Sequence, residues 1–131
     1  MISLSTQSDE YDWHGFYTIS ATIREQEDDD ETAHRTAINR MYYSVFNLVR
    51  AYARRRYGFW SEMNVHASLI KHSKMNSYDE YDSFCEDLQF LRDCRVQCDY
   101  DPQHINDSKG MMETCDRLAK RLIDSVDGAK S

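Results

Sequence analysis

Proline is nearly absent from this chain of 131 residues, where Pro102 stands alone, and glycine is scarce at 4 residues. A β-sandwich of this length would need a turn every ten residues or so, and the breakers for those turns are missing. Helices are the alternative, and apolar residues recurring at a 3.6-residue rhythm support them. No apolar run approaches the ~18 residues of a membrane span. The start, MISLSTQSDEYDW, lacks a basic region followed by an apolar core, so no secretion signal is expected and the location read from it is cytoplasmic. An excess of positive charge is also lacking. Lys and Arg number 16 against 23 Asp and Glu, a net charge of −7, which tells against a protein that coats DNA non-specifically. The last absence is local. From Thr32 to Ser61, thirty residues, there is no Asp or Glu, while Arg35, Arg40, Arg50, Arg54, Arg55 and Arg56 give the stretch +6 and leave −13 elsewhere.

What is present predicts one all-α domain over residues 1–131, an up-and-down bundle of about five helices with a long second helix. The first is expected over about Tyr11–Glu25, with Trp13, Phe16 or Tyr17, Ile19 or Ser20, and Ile23 at helical spacing. The acidic run EQEDDDE at 25–31 follows. It reads as a solvated loop whose Asp29 or Asp30 caps the next helix, with a metal site or phosphate mimic as the rarer use of such a run. The second helix spans about Glu31–Tyr57 and stops at Gly58. A short third helix covers about Val65–Lys74, with Val65, Leu69 and Ile70 inward. The fourth runs over about Ser77–Cys98, with Tyr81, Phe84, Leu88, Leu91 and Cys94 or Cys98 on its core side, and Pro102 ends it. The fifth, about Asp107–Val126, carries the stripe Met111, Cys115, Leu118, Leu122, Val126. The tail 127–131 is expected to fray.

The acid-free helix divides into faces. Ile38, Met41, Val45, Leu48 and Tyr52 form a core stripe. Thr36, Arg40, Tyr43, Asn47, Arg50 and Arg54 step by four and three along one edge, all able to hydrogen-bond. Arg54, Arg55 and Arg56 fall in the last turn, where cations meet the negative end of the helix dipole. On the fourth helix, Arg92, Arg95 and Asp99 share a side.

The other chemistry-bearing residues carry weaker signals. Cys94 and Cys98 lie one turn apart with His104 and Cys115 beyond, so zinc is conceivable, but cysteines on apolar helix faces without a secretion signal read as reduced, buried thiols. No metal and no cofactor is therefore assigned. His66 and His72 sit at i and i+6, the wrong interval for ligands on one face, and read as packing or surface histidines. His14 and His34 carry no spacing signal. Tyr78 and Tyr81 most simply cover the bundle, although tyrosines also stack on bases.

Two segments resemble a known family. AHRTAINRMYYSVFNLVRAYA is similar to the long helix of HEPN-domain proteins, with its Arg-Ala-Tyr-Tyr-Ala-x-Phe-His pattern, and LQFLRDCRVQCDYDP is similar to the family's Leu-x-x-x-Arg-x-x-Ala-Asp-Tyr segment. DWHGFYTIS and NVHASLI resemble the first and third helices of the small single-domain branch. The resemblance covers about Asp12–Val126. It implies a bundle that often dimerises, with a polar cleft where the second and fourth helices meet. Many members are metal-independent ribonucleases of toxin–antitoxin or anti-phage systems. Others bind nucleotides or serve as partners of a nucleotidyltransferase. Arg40 and Tyr43 match the Arg and second Tyr of the long-helix motif, and Asn47 stands where His is frequent. Arg95, Asp99 and Tyr100 match the downstream motif. The chain departs from the ribonuclease pattern of Arg, four to six residues, then His: counting from Arg95 those positions are Tyr100, Asp101 and Pro102.

Cleaving RNA without metal uses the ribose 2′-hydroxyl as nucleophile, and needs a base, an acid and a cation on the phosphorane. Arg95 and Arg92, facing Arg40, suit the cation role because a planar fork fits phosphate oxygens. Asp99 would serve as base or orient an arginine, and His104 as acid if the loop after the helix folds back. The expected site is thus Arg95, Asp99 and His104 for chemistry, with Arg40, Tyr43, Asn47, Arg50, Arg92 and Tyr100 holding RNA or a nucleotide. Expected partners are a second copy in a homodimer, and a cognate antitoxin or nucleotidyltransferase. The same residues also suit two quieter uses, a network of Arg–Asp pairs tying helices together and a non-catalytic module.

Overall fold

The computed structural model describes residues 11–26, 29–78 and 83–128. Five helices carry nearly all of them: α1 (His14–Gln26), α2 (Glu31–Tyr57), α3 (Val65–Met75), α4 (Phe84–Tyr100) and α5 (Ser108–Gly128), with no strand among the described residues. This is the all-α bundle that the apolar rhythm predicts. One expectation, the inward position of Tyr81, lies outside the described residues. Helix α4 does not start at Ser77 as expected: Ser77 sits in a turn at φ 45°, Tyr78 is non-helical, and the helix begins at Phe84. The acidic run is described only at its ends, Glu25–Gln26 and Asp29–Glu31.

The long helix is the axis. At 1.5 Å per residue, α2 is about 40 Å long, and all four other helices pack on it. Asp30 caps its start in an extended conformation, accepting from the Thr32 N–H at 3.0 Å. Gly58 ends it at φ 66°, where an L side chain is strained, and its N–H closes onto the Ala53 and Arg54 carbonyls. Along its core stripe Ile38, Met41, Val45 and Tyr52 are buried, and Leu48 is half-buried at the margin. Phe84, Leu88, Leu91, Cys94 and Cys98 bury the facing side of α4, and Leu69 and Ile70 that of α3. Every one of these matches its expected inward position.

The fifth helix differs in detail. Its buried set is Met112, Cys115, Asp116, Ala119, Leu122, Ile123 and Val126, with Met111 and Leu118 only half-buried. The cause is that α5 meets both α2 and α4, so its buried arc is wider than one stripe and centred slightly to one side of it. Helix α5 also continues through Gly128, two residues into the segment expected to fray. Similarly, α1 turns Ser20 rather than Ile19 inward, and Ile19 is exposed. Among the described residues no helix is long and apolar enough to cross a membrane.

One buried carboxylate locks α1 onto α5. Asp116 accepts from the Tyr17 hydroxyl at 2.5 Å and pairs with Arg24 at 2.7 Å and Lys120 at 3.2 Å. Burial opposes its ionisation, but the three hydrogen-bond donors outweigh that and hold its pKa below the ordinary 3.8. Its contribution to stability is therefore complete above pH 3.8 and is lost as pH falls through the lower folded-state value. Asp116→Ala is expected to lower unfolding free energy by about 2 kcal/mol at neutral pH, since it leaves a half-buried arginine and a phenol without their acceptor. Urea titrations at neutral pH and near the bottom of the acid limb check this. The gap between variant and wild type should shrink in acid, and a gap independent of pH would contradict the role of the charge.

Candidate functional site

The polar edge of α2 meets α3 and α4 around a set of aromatic rings. Arg95, on α4, is only 8% exposed although it is a cation. Its guanidinium lies over two rings of α2, at 5.4 Å from the Tyr42 centroid and 5.3 Å from Tyr43. It pairs with Asp99, a turn further along, at 3.2 Å, and among the described residues its buried Nε has no hydrogen-bond partner. Burial works against the Arg95 charge, and Asp99 with the neighbouring tyrosines outweighs it, so Arg95 stays charged. Asp99 accepts in turn from Asn39 Nδ2 at 3.1 Å, and Asn39 Oδ1 accepts from Arg40 at 2.6 Å. Arg40 completes the chain by lying over Phe16 of α1 at 5.8 Å.

On the other side of Tyr42 stands His66 of α3. Its Nδ1 hydrogen-bonds the buried Tyr42 hydroxyl at 2.6 Å, and its ring stacks on Phe46 at 4.0 Å between centroids. Phe46 carries Arg50 as well, at 5.1 Å. Two rings thus organise the site: Tyr42 is shared by His66 and Arg95, and Phe46 by His66 and Arg50. Burial pushes the His66 pKa down to about 4, and the charges of Arg95, Arg92 and Arg50 add to that, so the imidazole is neutral at physiological pH. Burial likewise lowers the Arg50 pKa, and Arg54 adds to it.

The expected residues are distributed unevenly across this geometry. Tyr43, Arg92, Arg95, Asp99 and Arg50 gather there, and Arg40 joins through Asn39. Asn47 is a support instead of a contact: its Nδ2 donates to the Tyr43 carbonyl at 2.8 Å and its Oδ1 accepts from Arg50 at 2.9 Å, so it is buried and aims the arginine. Tyr100 is 73% exposed in the last turn of α4. The largest departure is His104, whose side chain is 99% exposed and rests on Glu31 Oε1 at 3.1 Å. Glu31 opens α2, eleven residues and about 16 Å of helix from Tyr42. The loop after α4 does fold back, but onto the start of α2. Arg35 makes it do so, donating to the carbonyls of Cys98, Asp101 and Gln103 while its Nε holds Glu31.

Tyr42, Phe46, Asn39 and His66 escaped the sequence reading. His66 was weighed only against His72 in its own helix, whereas its partners are on α2 and α4. The signal available was the Tyr42–Phe46 pair at i and i+4, which looks like core and is also a ring platform. His72, for its part, bonds the Tyr78 hydroxyl within an aromatic corner made with Tyr57 and Phe59.

The thiols are core groups. Cys94, Cys98 and Cys115 are buried, and burial with the neighbouring Cys94 pushes Cys98 up to about 12. Among the described residues no three His, Cys, Asp or Glu side chains are grouped to hold a metal ion. A groove of about 630 Å³ lies elsewhere, between Trp13, His14, Leu48, Arg54 and Asp127.

The Arg95–Asp99 pair lends itself to a pair of stability measurements. Arg95→Met keeps the stem packed on Tyr42 and leaves Asp99 to Asn39 and solvent, so stability should stay within about 1 kcal/mol of wild type. Asp99→Ala leaves a buried guanidinium unpaired and should cost about 2 kcal/mol. Urea unfolding of both variants checks the order, and the reverse order would mean that the guanidinium is not desolvated.

The chain matches no family model, no curated protein and no solved structure.

Proposed function

We propose that this protein is an RNA-targeting effector of the HEPN type, a metal-independent endoribonuclease of a toxin–antitoxin or anti-phage system, with its site where α2, α3 and α4 meet. One observation carries the reading: Arg50, Arg92 and Arg95 converge on a neutral histidine across a floor of aromatic rings. Burial strips hydration from Arg50, Arg95 and His66, and the charges of the three arginines disfavour a further charge on His66. An incoming phosphate relieves both costs. The planar guanidinium fits two phosphate oxygens, and the open Nε edge of Arg95 keeps donor capacity in reserve. Exposed Tyr100 and half-buried Tyr43 offer faces on which bases can stack.

Charge distribution supports RNA over a general polyanion surface. The protein is acidic overall while Arg50, Arg92 and Arg95 gather at one cleft, so affinity depends on a strand reaching the cleft rather than on coating. A second copy of the chain, if two clefts adjoin, enlarges that field without altering the net charge of each protomer.

A second reading is favoured by one fact of sequence. No histidine follows Arg95 at the interval of the ribonuclease members, and His104 is engaged by Glu31. A non-catalytic module holding a nucleotide or a partner protein would need the arginines and not the histidine.

The test uses purified protein with labelled single-stranded RNA and mixed transfer RNA, in the presence of EDTA. Cleavage is expected, and Arg95→Met should reduce it at least tenfold while remaining folded. Binding should weaken with salt, and Arg92→Ala should flatten the slope of log affinity against log salt by about 0.7, the value of one phosphate contact on a single strand. Intact RNA together with a tight calorimetric signal for a mononucleotide would replace the first reading with the second.

A further inference from the structure

His66 is the one imidazole that touches the arginine cleft, and its surroundings are built rather than incidental. Tyr42, Tyr43, Phe46 and Arg50 face it from α2, and Arg92 and Arg95 from α4. Its Nδ1 is committed to a buried hydroxyl, which fixes the ring plane, and stacking on Phe46 fixes it further. Among the described residues nothing hydrogen-bonds Nε2, and the ring is half-buried. A histidine held by one nitrogen with the other free is the arrangement of a proton-transfer group.

We infer that His66, oriented by Tyr42, is the general acid that protonates the leaving 5′-oxygen when RNA is cut in this cleft. The inference rests on the ribonuclease reading above and assigns to α3 the histidine that the chain lacks after Arg95.

The steps balance as follows. In the free protein His66 is neutral, and the Tyr42 hydroxyl donates to Nδ1. Burial and the arginine charges together keep the imidazole neutral. A phosphodiester entering between Arg50, Arg92 and Arg95 offsets the charges and adds an attraction for the imidazolium, and His66 takes a proton from solvent. Both ring nitrogens then donate, Nδ1–H to the Tyr42 oxygen, whose hydroxyl turns to accept, and Nε2–H toward the bound phosphate. The ribose 2′-oxygen loses its proton to solvent water and forms a bond to phosphorus. The bond from phosphorus to the 5′-oxygen breaks, and that oxygen leaves with the proton from Nε2. Products are a 2′,3′-cyclic phosphate and a 5′-hydroxyl. His66 is left neutral with its proton on Nδ1, and gain of a proton from water at Nε2 with loss of the one on Nδ1 restores the resting tautomer. The arginines hold the charge on the phosphorane throughout.

A leaving group that needs no acid tests this assignment. His66→Gln keeps a planar polar side chain, and it should bind RNA within about threefold of wild type while cleaving at least a hundredfold more slowly, the lower range for loss of an acid. On RNA whose 5′-bridging oxygen is replaced by sulfur, a thiolate leaves unaided, and His66→Gln should recover to within about tenfold of wild type. Equal defects on both substrates would overturn the inference, as would undiminished cleavage of ordinary RNA by His66→Gln. Either result leaves the ribonuclease reading standing, whereas a wild type that cuts neither substrate removes both.

Imidazole NMR on wild type decides the matter independently if the variant misfolds. The His66 pKa should rise by about one unit or more when an uncleavable 2′-deoxy analogue fills the cleft. A value unmoved by a bound analogue would also overturn the inference.

Discussion

Everything in this bundle that concerns the site depends on how Arg35 holds the end of α4. A helix leaves its last carbonyls without partners, and here the guanidinium of Arg35 collects those of Cys98, Asp101 and Gln103 at 2.6–3.0 Å. Pro102 stops α4 from continuing, so the chain must turn at this point, and Arg35 determines where the turn lies against α2. Glu31 holds Arg35 from its own helix and takes the Ile105 N–H from the turn at 3.2 Å. With that end fixed, α4 descends as α2 ascends: Arg35 meets Cys98, Asn39 meets Asp99, and Tyr42 and Tyr43 meet Arg95. A slip of one residue would turn Arg95 by about 100° around its helix and remove it from both rings.

The absence of acids along α2 beyond Glu31 follows from the same packing. Its arginines are stabilised by rings where acids would otherwise be expected. Arg40 lies over Phe16, Arg50 over Phe46, Arg54 over Trp60 and Arg56 over Tyr57, all between 4.9 and 5.8 Å. A cation over a ring gains about 0.5–1 kcal/mol at an exposed site and keeps its charge available to a third party. A carboxylate in the same place would neutralise the arginine and repel phosphate. Six arginines therefore perform several tasks: Arg35 is a clamp, Arg54 to Arg56 meet the helix C-terminus, and Arg50, with Arg40 through Asn39, belongs to the cleft.

The parts of the molecule that obey a local rule were legible in the sequence. The start of α2 followed from Asp30 and the ends of α2 and α4 from Gly58 and Pro102, and the inward faces of α2, α3 and α4 followed from spacing. The shared side of Arg92, Arg95 and Asp99 did too, since i to i+4 is a geometric neighbour on any helix. The start of α4 did not, because the turn at Ser77 carries no proline or glycine to mark it. What depends on two helices meeting was not legible. His66 has no partner within α3, and Tyr42 reads as core because it is core, its hydroxyl alone reaching outward to the imidazole. His104 illustrates the converse. Its nearness to Arg95 in sequence suggested a site, but Pro102 and Arg35 send the intervening turn to the other end of the interface.

Charge density links these observations. Arg50 and His66 both have lowered pKa values because they are buried, with the charge of Arg54 adding to the effect on Arg50 and those of Arg95, Arg92 and Arg50 to the effect on His66. Burial keeps the resting imidazole neutral, and repulsion from the three arginines adds to it. The same repulsion makes the cleft responsive, because the pKa of His66 is tied to whatever anion reduces it. A carboxylate beside His66 would have kept it charged at all times and removed that dependence. Asp99, the nearest acid of the network, instead faces Asn39 and the far side of Arg95. The acid-free edge of α2 thus does more than present positive charge. On the proposed reading it leaves the protonation state of one histidine to be decided by the substrate.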